Sequence, residues 1–256
     1  MLPKCALIKP VMIFVIWIGA SRLKPVRHTP SYIKKNVSDR SILLSTLILS
    51  MYFGTKVAFK SVIAARLTAL LAWAAAHHGD RVGGVLFGGD QITEIQPKAR
   101  TKGVLPLLQC LAQFSAADPT KHSCSLSKAL LHCRRVIKPH SLVFILSDFY
   151  CLDSASETLL NKIRQQSTIC GFYIRDCTEI TAPPPGLYPV SDGDQDYLLD
   201  TRKDKNTARY VKHFEHLYHS IEQVFNHALY TVETDSNLLQ LLRTITANAF
   251  PMRACA

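Results

Sequence analysis

Apolar positions along this chain fall into two alternating kinds of run. Ile42–Leu49, Arg81–Gly88, Ser141–Ser147, Thr168–Arg175 and Leu229–Glu233 are short and apolar on successive residues, the pattern of strands buried on both faces. Between them, Lys60–Ala76, Gly103–Ser115, Ser125–Val136, Ser156–Gln166, Lys203–Asn226 and Asn237–Ala249 repeat apolar residues at helical spacing. Gly79 stops the first of these helices, Pro106 falls in the first turn of the second, and Ser154 or Ser156 supplies the cap of the fourth. Gln91–Gln96 alternates imperfectly and predicts an edge strand. Pro183-Pro184-Pro185-Gly186 marks an excursion, followed by a hairpin of Tyr188–Val190 and Tyr197–Leu199 turning at Asp192-Gly193.

Strands alternating with helices over short loops predict an α/β fold: a Rossmann-like, doubly wound, mostly parallel sheet flanked by helices. Ligands of such sheets bind beyond the carboxyl ends of the strands. That singles out Ser141–Tyr150, SLVFILSDFY, where Asp148 stands at the end of a buried strand.

Charge changes the picture only at one end. The net charge of +11 suggests nucleic acid until it is located. Residues 1–60 hold ten Lys/Arg and one Asp, whereas the rest hold twenty basic and eighteen acidic groups. The folded body is nearly neutral, so no phosphate-tracking groove is expected. The eight cysteines show no CxxC and no paired spacing, which favours buried, reduced thiols and a cytoplasmic protein. Val11–Ala20 looks like a weak secretory signal, but a membrane span needs about 20 apolar residues and none is expected.

No GxSxG, P-loop, HExxH or HxE…CxxC motif appears, so no catalytic residue is assigned. His213, His216 and His219 recur along one helix, yet no carboxylate or Cys ligand is placed with them. A solvated face is expected there.

Three segments carry a more specific resemblance. Ser50-Met51-Tyr52-Phe53-Gly54 precedes an Ala/Leu-rich helix, His78-Gly79-Asp80-Arg81-Val82-Gly83 leads into Val85-Leu86-Phe87-Gly88, and Ser147-Asp148-Phe149 closes a hydrophobic strand. In this order they resemble the bacterial von Willebrand factor A-like proteins filed as domain of unknown function fifty-eight, over roughly residues 47–246. The resemblance implies a metal-ion-dependent adhesion site, in which Asp-x-Ser-x-Ser on the first strand joins a later hydroxyl and a later Asp. A hard cation such as Mg2+ takes oxygen ligands of this kind. Carried over, Ser50 is the last Ser of the motif, Ser123 the intermediate hydroxyl and Asp148 the later acid. Thr46 and Ile48 stand where the first Asp and first Ser belong. The site is therefore expected to be degraded, with no cofactor bound by the chain as written and Mg2+ reserved for an intact site.

The resemblance also implies Asp-Asp-x-Arg-x-x-Asp-Trp and Glu-Glu-Arg before the first strand, and neither is present. Reading each codon's third base with the next codon's first two restores them. Met12-Ile13 and Trp17-Ile18 then force Asp, and Lys34-Lys35-Asn36-Val37 admits Glu-Glu-Arg. Residues 1–48 are accordingly expected to be out of frame or disordered, with one A-like domain over 49–250 and a tail at 251–256. The implied function is a non-enzymatic protein-interaction module working with a MoxR-type AAA+ ATPase or another protein carrying an acidic ligand. A metal-dependent hydrolase, or nucleic-acid binding through the basic N-terminus, stands as the alternative.

Overall fold

The computed structural model describes residues 40–88, 91–116, 125–191 and 196–242. The first strand, β1 (Arg40–Thr46), is followed by a 3-10 turn at Leu49–Tyr52, helix α1 (Lys60–His77), β2 (Arg81–Gly88) and β3 (Gln91–Ala99). Then come α2 (Thr101–Ala116), α3 (Leu126–Val136), β4 (Leu142–Ser147), α4 (Ser154–Arg164) and β5 (Thr168–Arg175). A 3-10 turn at Cys177–Glu179, the hairpin β6 (Leu187–Ser191) and β7 (Asp196–Asp200), α5 (Asp204–Phe225) and β8 (Leu229–Glu233) follow.

Six strands form one sheet in the order β3-β2-β1-β4-β5-β8, with only β3 antiparallel. This is the doubly wound arrangement expected from the alternation of runs. β1 to β2 steps one way across the sheet and β4 to β5 the other. Right-handed connections therefore place α1 and α4 on opposite faces. The order reverses between β1 and β4, so their carboxyl ends flank the crevice where such folds bind ligands.

The core explains why the runs were readable. Every residue of β4 is buried, as are Ile42, Leu43 and Leu44 of β1 and Val85, Leu86 and Phe87 of β2. α1 presents Ile63, Ala64, Leu67, Leu71, Ala72 and Ala75 to them, and Gly79 follows it with φ 86°, a left-handed conformation natural to glycine. Three local expectations are corrected. α2 starts two residues early, which puts Pro106 in its second turn. The cap of α4 is Asp153, whose carboxylate accepts from Ser156 N–H at 2.7 Å, and neither Ser154 nor Ser156 fills that role. β3 runs on through Pro97, tolerated at an edge beside the register shift between Val82 and Gly84.

The expected boundary at residue 49 is also moved. β1 begins at Arg40 and lies between β2 and β4, so Arg40–Ile48 belong to the domain and not to a separate basic segment. Arg40 and Ser41, at the start of the strand, lie outside the apolar run Ile42–Leu49, which already contains Ser45. Ser41 and Ser45 are buried, and Ser41 Oγ donates to Asp80 Oδ2 at 2.8 Å. Residues 1–39, the Asp192-Gly193 turn, and the helix expected at Asn237–Ala249 beyond its helical residues 238–242 lie outside the described residues.

Candidate functional site

At the crevice, β1 and β4 end in hydroxyls that meet. Thr46 Oγ1 lies 2.9 Å from Ser147 Oγ and 3.2 Å from the Leu146 carbonyl. Ser147 Oγ accepts from Phe149 N–H at 3.0 Å. Phe149 holds φ 55°, costly for a bulky residue, and its ring is fixed against Phe225 with centroids 5.0 Å apart. This tight turn leaves Asp148 fully buried at the strand's end.

Asp148 does not face water or an open space. Lys60, the first residue of α1, places Nζ 3.2 Å from Asp148 Oδ2 and 2.7 Å from Glu179 Oε1, with all three side chains buried. The same ammonium lies 4.9 Å from the centroid of the Tyr150 ring, a favourable cation–π placement. Tyr150 OH donates to Glu179 Oε1 at 3.1 Å, and Asp176 N–H donates to Glu179 Oε2 at 3.0 Å. Burial alone would lower the Lys60 pKa, but Asp148 and Glu179 outweigh it and raise it above its ordinary value. Burial, then the charges of Glu179 and Asp148, push the Tyr150 phenol far up, so it acts as a neutral donor.

A second carboxylate anchors the loops around this centre. Asp176, buried just past the end of β5, accepts from Thr55 N–H and Oγ1 at 3.0 and 2.7 Å and from Thr234 Oγ1 at 2.8 Å. It also accepts from Thr178 N–H and Oγ1 at 3.1 and 2.9 Å. Burial would raise its pKa, but these bonds, those from Thr55 first, outweigh it and hold the carboxyl well below the usual range. The carboxyl ends of β1, β4, β5 and β8 thus meet in one polar layer that joins Lys60 to Thr234.

Of the three expected metal ligands, the structure places Asp148 in this layer. Ser50 sits on the 3-10 turn after β1, its Oγ buried without a hydrogen-bond partner. Ser123 lies outside the described residues; the neighbouring Ser125 caps α3 by accepting from Lys128 N–H at 3.4 Å. The orphaned Ser50 hydroxyl would suit a cation. The remaining donors would not: Thr46 stands where an acid belongs, and Asp148 is already matched to an ammonium. A divalent ion beside Lys60 would meet like charge at about 4 Å, where repulsion in a low-dielectric interior exceeds what one hydroxyl returns. The residues present do not fit a divalent cation.

Lys60, Glu179 and Tyr150 were missed in the sequence. A lysine opening a helix ordinarily reads as solvated, and Glu179 completes a capping box with Asp176 on a three-residue 3-10 turn, a signal that by itself reads as local structure. His213, His216 and His219 are exposed, and among the described residues no group of three His, Cys, Asp or Glu is placed to hold a metal. Among the described residues Cys110, Cys133, Cys170 and Cys177 are free thiols and Cys151 is disulfide-bonded. No described helix is long and apolar enough to cross a membrane.

The family model described as "Protein of unknown function DUF58" matches residues 24–220. The chain belongs to this DUF58 family. The match begins before β1, in keeping with that strand's central place in the sheet. No curated protein matches the chain. Among solved structures, this DUF58 chain is similar to the conserved hypothetical protein BatB from Bacteroides thetaiotaomicron, at 13% identity and TM-score 0.49, over 83% of this chain and 99% of that one. It is also similar to an aerotolerance-related membrane protein from Bacteroides fragilis carrying multiple mutations to serines. There the identity is 12% and the TM-score 0.49, over 83% of this chain and 100% of that one.

Proposed function

We propose that this chain is a non-enzymatic, von Willebrand factor A-like interaction module that has replaced a bound cation by a tethered one. The observation that carries the reading is Lys60 Nζ, buried between Asp148 and Glu179 at the carboxyl edge of the sheet. In an adhesion site of the metal type, the ion both neutralises the strand-end acids and offers an open position to a partner's carboxylate. Here the ammonium neutralises them and offers no such position. Docking then falls to the loop between Tyr52 and Lys60, where Phe53, Val57 and Phe59 are exposed. Exposed aromatic and aliphatic side chains grouped on one loop suit a protein partner, and a MoxR-type AAA+ ATPase is the partner class proposed.

Calorimetric titration of the chain into such an ATPase tests this. Binding is expected to be equal in Mg2+ and in EDTA when the ATPase is held in one nucleotide state, and to weaken at least about tenfold in Phe53→Ser/Phe59→Ser. Binding that collapses in EDTA, together with saturable Mg2+ uptake by the chain alone, would overturn the tethered-cation reading. Binding indifferent to the loop substitutions would overturn the docking surface.

A further inference from the structure

We propose that the free edge of strand β7 is a docking site for an extended segment of a partner protein that carries an apolar residue and, two positions away, a Lys or Arg. β6 and β7 form a sheet of their own, paired only with each other among the described residues. A two-stranded hairpin is marginal in water when it stands alone, and here its base is fastened. Thr201 is buried; its Oγ1 accepts from Gly186 N–H at 2.9 Å and donates to the Pro184 carbonyl at 2.8 Å. The same carbonyl accepts from Tyr188 OH at 2.9 Å. The strands are therefore held ready before a partner arrives, which lowers the cost of binding.

The register decides which backbone groups face outward. Thr201 N–H donates to the Gly186 carbonyl at 2.9 Å, so these two residues are a hydrogen-bonded pair. Such pairs alternate along an antiparallel ladder, which makes Tyr188 with Leu199 the next one and Val190 with Tyr197 the one after. The pairs between them are Leu187 with Asp200, Pro189 with Leu198, and Ser191 with Asp196. Their N–H and C=O groups point away from the hairpin. On β6 that outer row runs through Pro189, which has no N–H to offer and guards the edge. β7 has no such guard. Its row runs through Asp196, Leu198 and Asp200, and of these the Asp200 carbonyl is taken by Asn206 Nδ2 at 3.0 Å. Asp196 is exposed and Leu198 is 65% exposed, so the edge is uncovered at both.

The side chains narrow the occupant. Leu187, Pro189 and Leu198 share one face of the hairpin with Asp196, and all four are exposed. Asp200 is matched by Arg202 at 2.8 Å, whereas Asp196 makes no ion pair among the described residues. Residues 183–200 hold four Asp and no Lys, Arg or Glu. A second copy of the chain is a poor fit. Two β7 strands in full antiparallel overlap would set Asp196 against Asp200, and in parallel register each acid would lie beside its own counterpart. Like charges so placed destabilise a sheet. The same acids repel an anionic lipid surface or a nucleic acid. A strand with a cation opposite Asp196 and an apolar side chain opposite Leu198 satisfies the main chain, the apolar face and the charge together.

The test is calorimetric titration of the full chain with the blocked peptide acetyl-Lys-Thr-Val-Thr-Lys-amide, whose Val falls opposite Leu198 when a Lys falls opposite Asp196. Saturable one-to-one binding is expected, at least about tenfold tighter than for the same peptide with Glu in place of both Lys. N-methylation of the Val removes its donor to the β7 edge and should abolish binding. In the complex the Leu198 amide should exchange its hydrogen more slowly. In Asp196→Lys the preference between the Lys and Glu peptides should reverse, a gain that a misfolded variant could not show. Absence of saturable binding, or equal binding of the N-methylated peptide, would overturn the site. So would concentration-dependent dimers that Leu198→Pro abolishes, which would give the edge to a second copy. Adsorption to phosphatidylserine vesicles that is lost in Leu198→Ser would overturn it in favour of a lipid surface.

Discussion

Lys60 Nζ and Asp148 Oδ2 lie 3.2 Å apart across 88 positions of sequence, tying the first residue of α1 to the residue just past β4 inside the protein. The pair is buried, so removing one partner strands the other. Lys60→Met is expected to cost about 3–5 kcal/mol, because two buried carboxyl groups then lose the cation that matches them. Urea unfolding of parent and variant measures this. A loss below about 1 kcal/mol would mean that the ammonium is solvated and not a structural ion.

How much of this was legible is clear from the two ends of that pair. Asp148 could be found because a continuous apolar strand ending in an acid has few other uses in a parallel sheet. Lys60 could not, because its burial depends on a contact with a strand formed much later in the chain. The apolar runs located β2, β4, β5 and β8 closely, since burial on both faces leaves an unbroken hydrophobic signature. β1 was trimmed at its start because Ser41 is a buried polar residue, matched to Asp80. Such matching is invisible until the fold brings strand and loop together.

Above neutrality, the same lysine sets a sign. Its folded pKa is raised above the ordinary 10.5, so the stability it contributes is fully present below that value. It is lost as pH rises from 10.5 through the folded pKa. Stability plotted against pH should therefore fall above pH 10.5 in the parent. In Lys60→Arg, whose guanidinium stays protonated, the fall attributable to this site should vanish. Identical alkaline limbs would contradict the assignment.

At acid pH the controlling group is Asp176. Its folded pKa lies well below the ordinary 3.8, since the hydrogen bonds from Thr55, Thr178 and Thr234 outweigh burial. Its contribution is present above 3.8 and drains away as pH falls from there through the folded value. Asp176→Asn is expected to be less stable than the parent by about 1–3 kcal/mol at pH 7, the cost of losing charge-assisted bonds. The gap should narrow below pH 3.8. A gap that stays constant down to pH 2 would assign the loss to shape and not to charge.

Thiol labelling gives a separate check on the core. Burial pushes the Cys133 and Cys170 thiols up to about 12, whereas Cys177 is partly exposed. The thiolate is the reactive form, so an aromatic disulfide reagent at pH 8 should modify Cys177 in the native protein. Cys133 and Cys170 should react only on unfolding. Native-state labelling of Cys170 would show that β5 is not covered as described.

The cover over β5 is provided by one close fit. A Cβ placed on Gly171 would lie 2.7 Å from Phe225 Cδ1 and 2.8 Å from Cε1, inside the distance any carbon tolerates. Phe225 is itself 1% exposed and packs on Phe149, so its ring has no free space to enter. Gly171→Ala should therefore push the ring against Phe149, the residue whose strained turn holds Asp148. A loss of about 1–3 kcal/mol is expected from the overpacking. Phe225→Leu should recover part of it when combined with Gly171→Ala, although Phe225→Leu alone removes contacts and destabilises. The pair is thus expected to be markedly non-additive in a double-mutant cycle. Additive losses would mean that Gly171 and Phe225 do not share the contact that seats the carboxyl edge of the sheet.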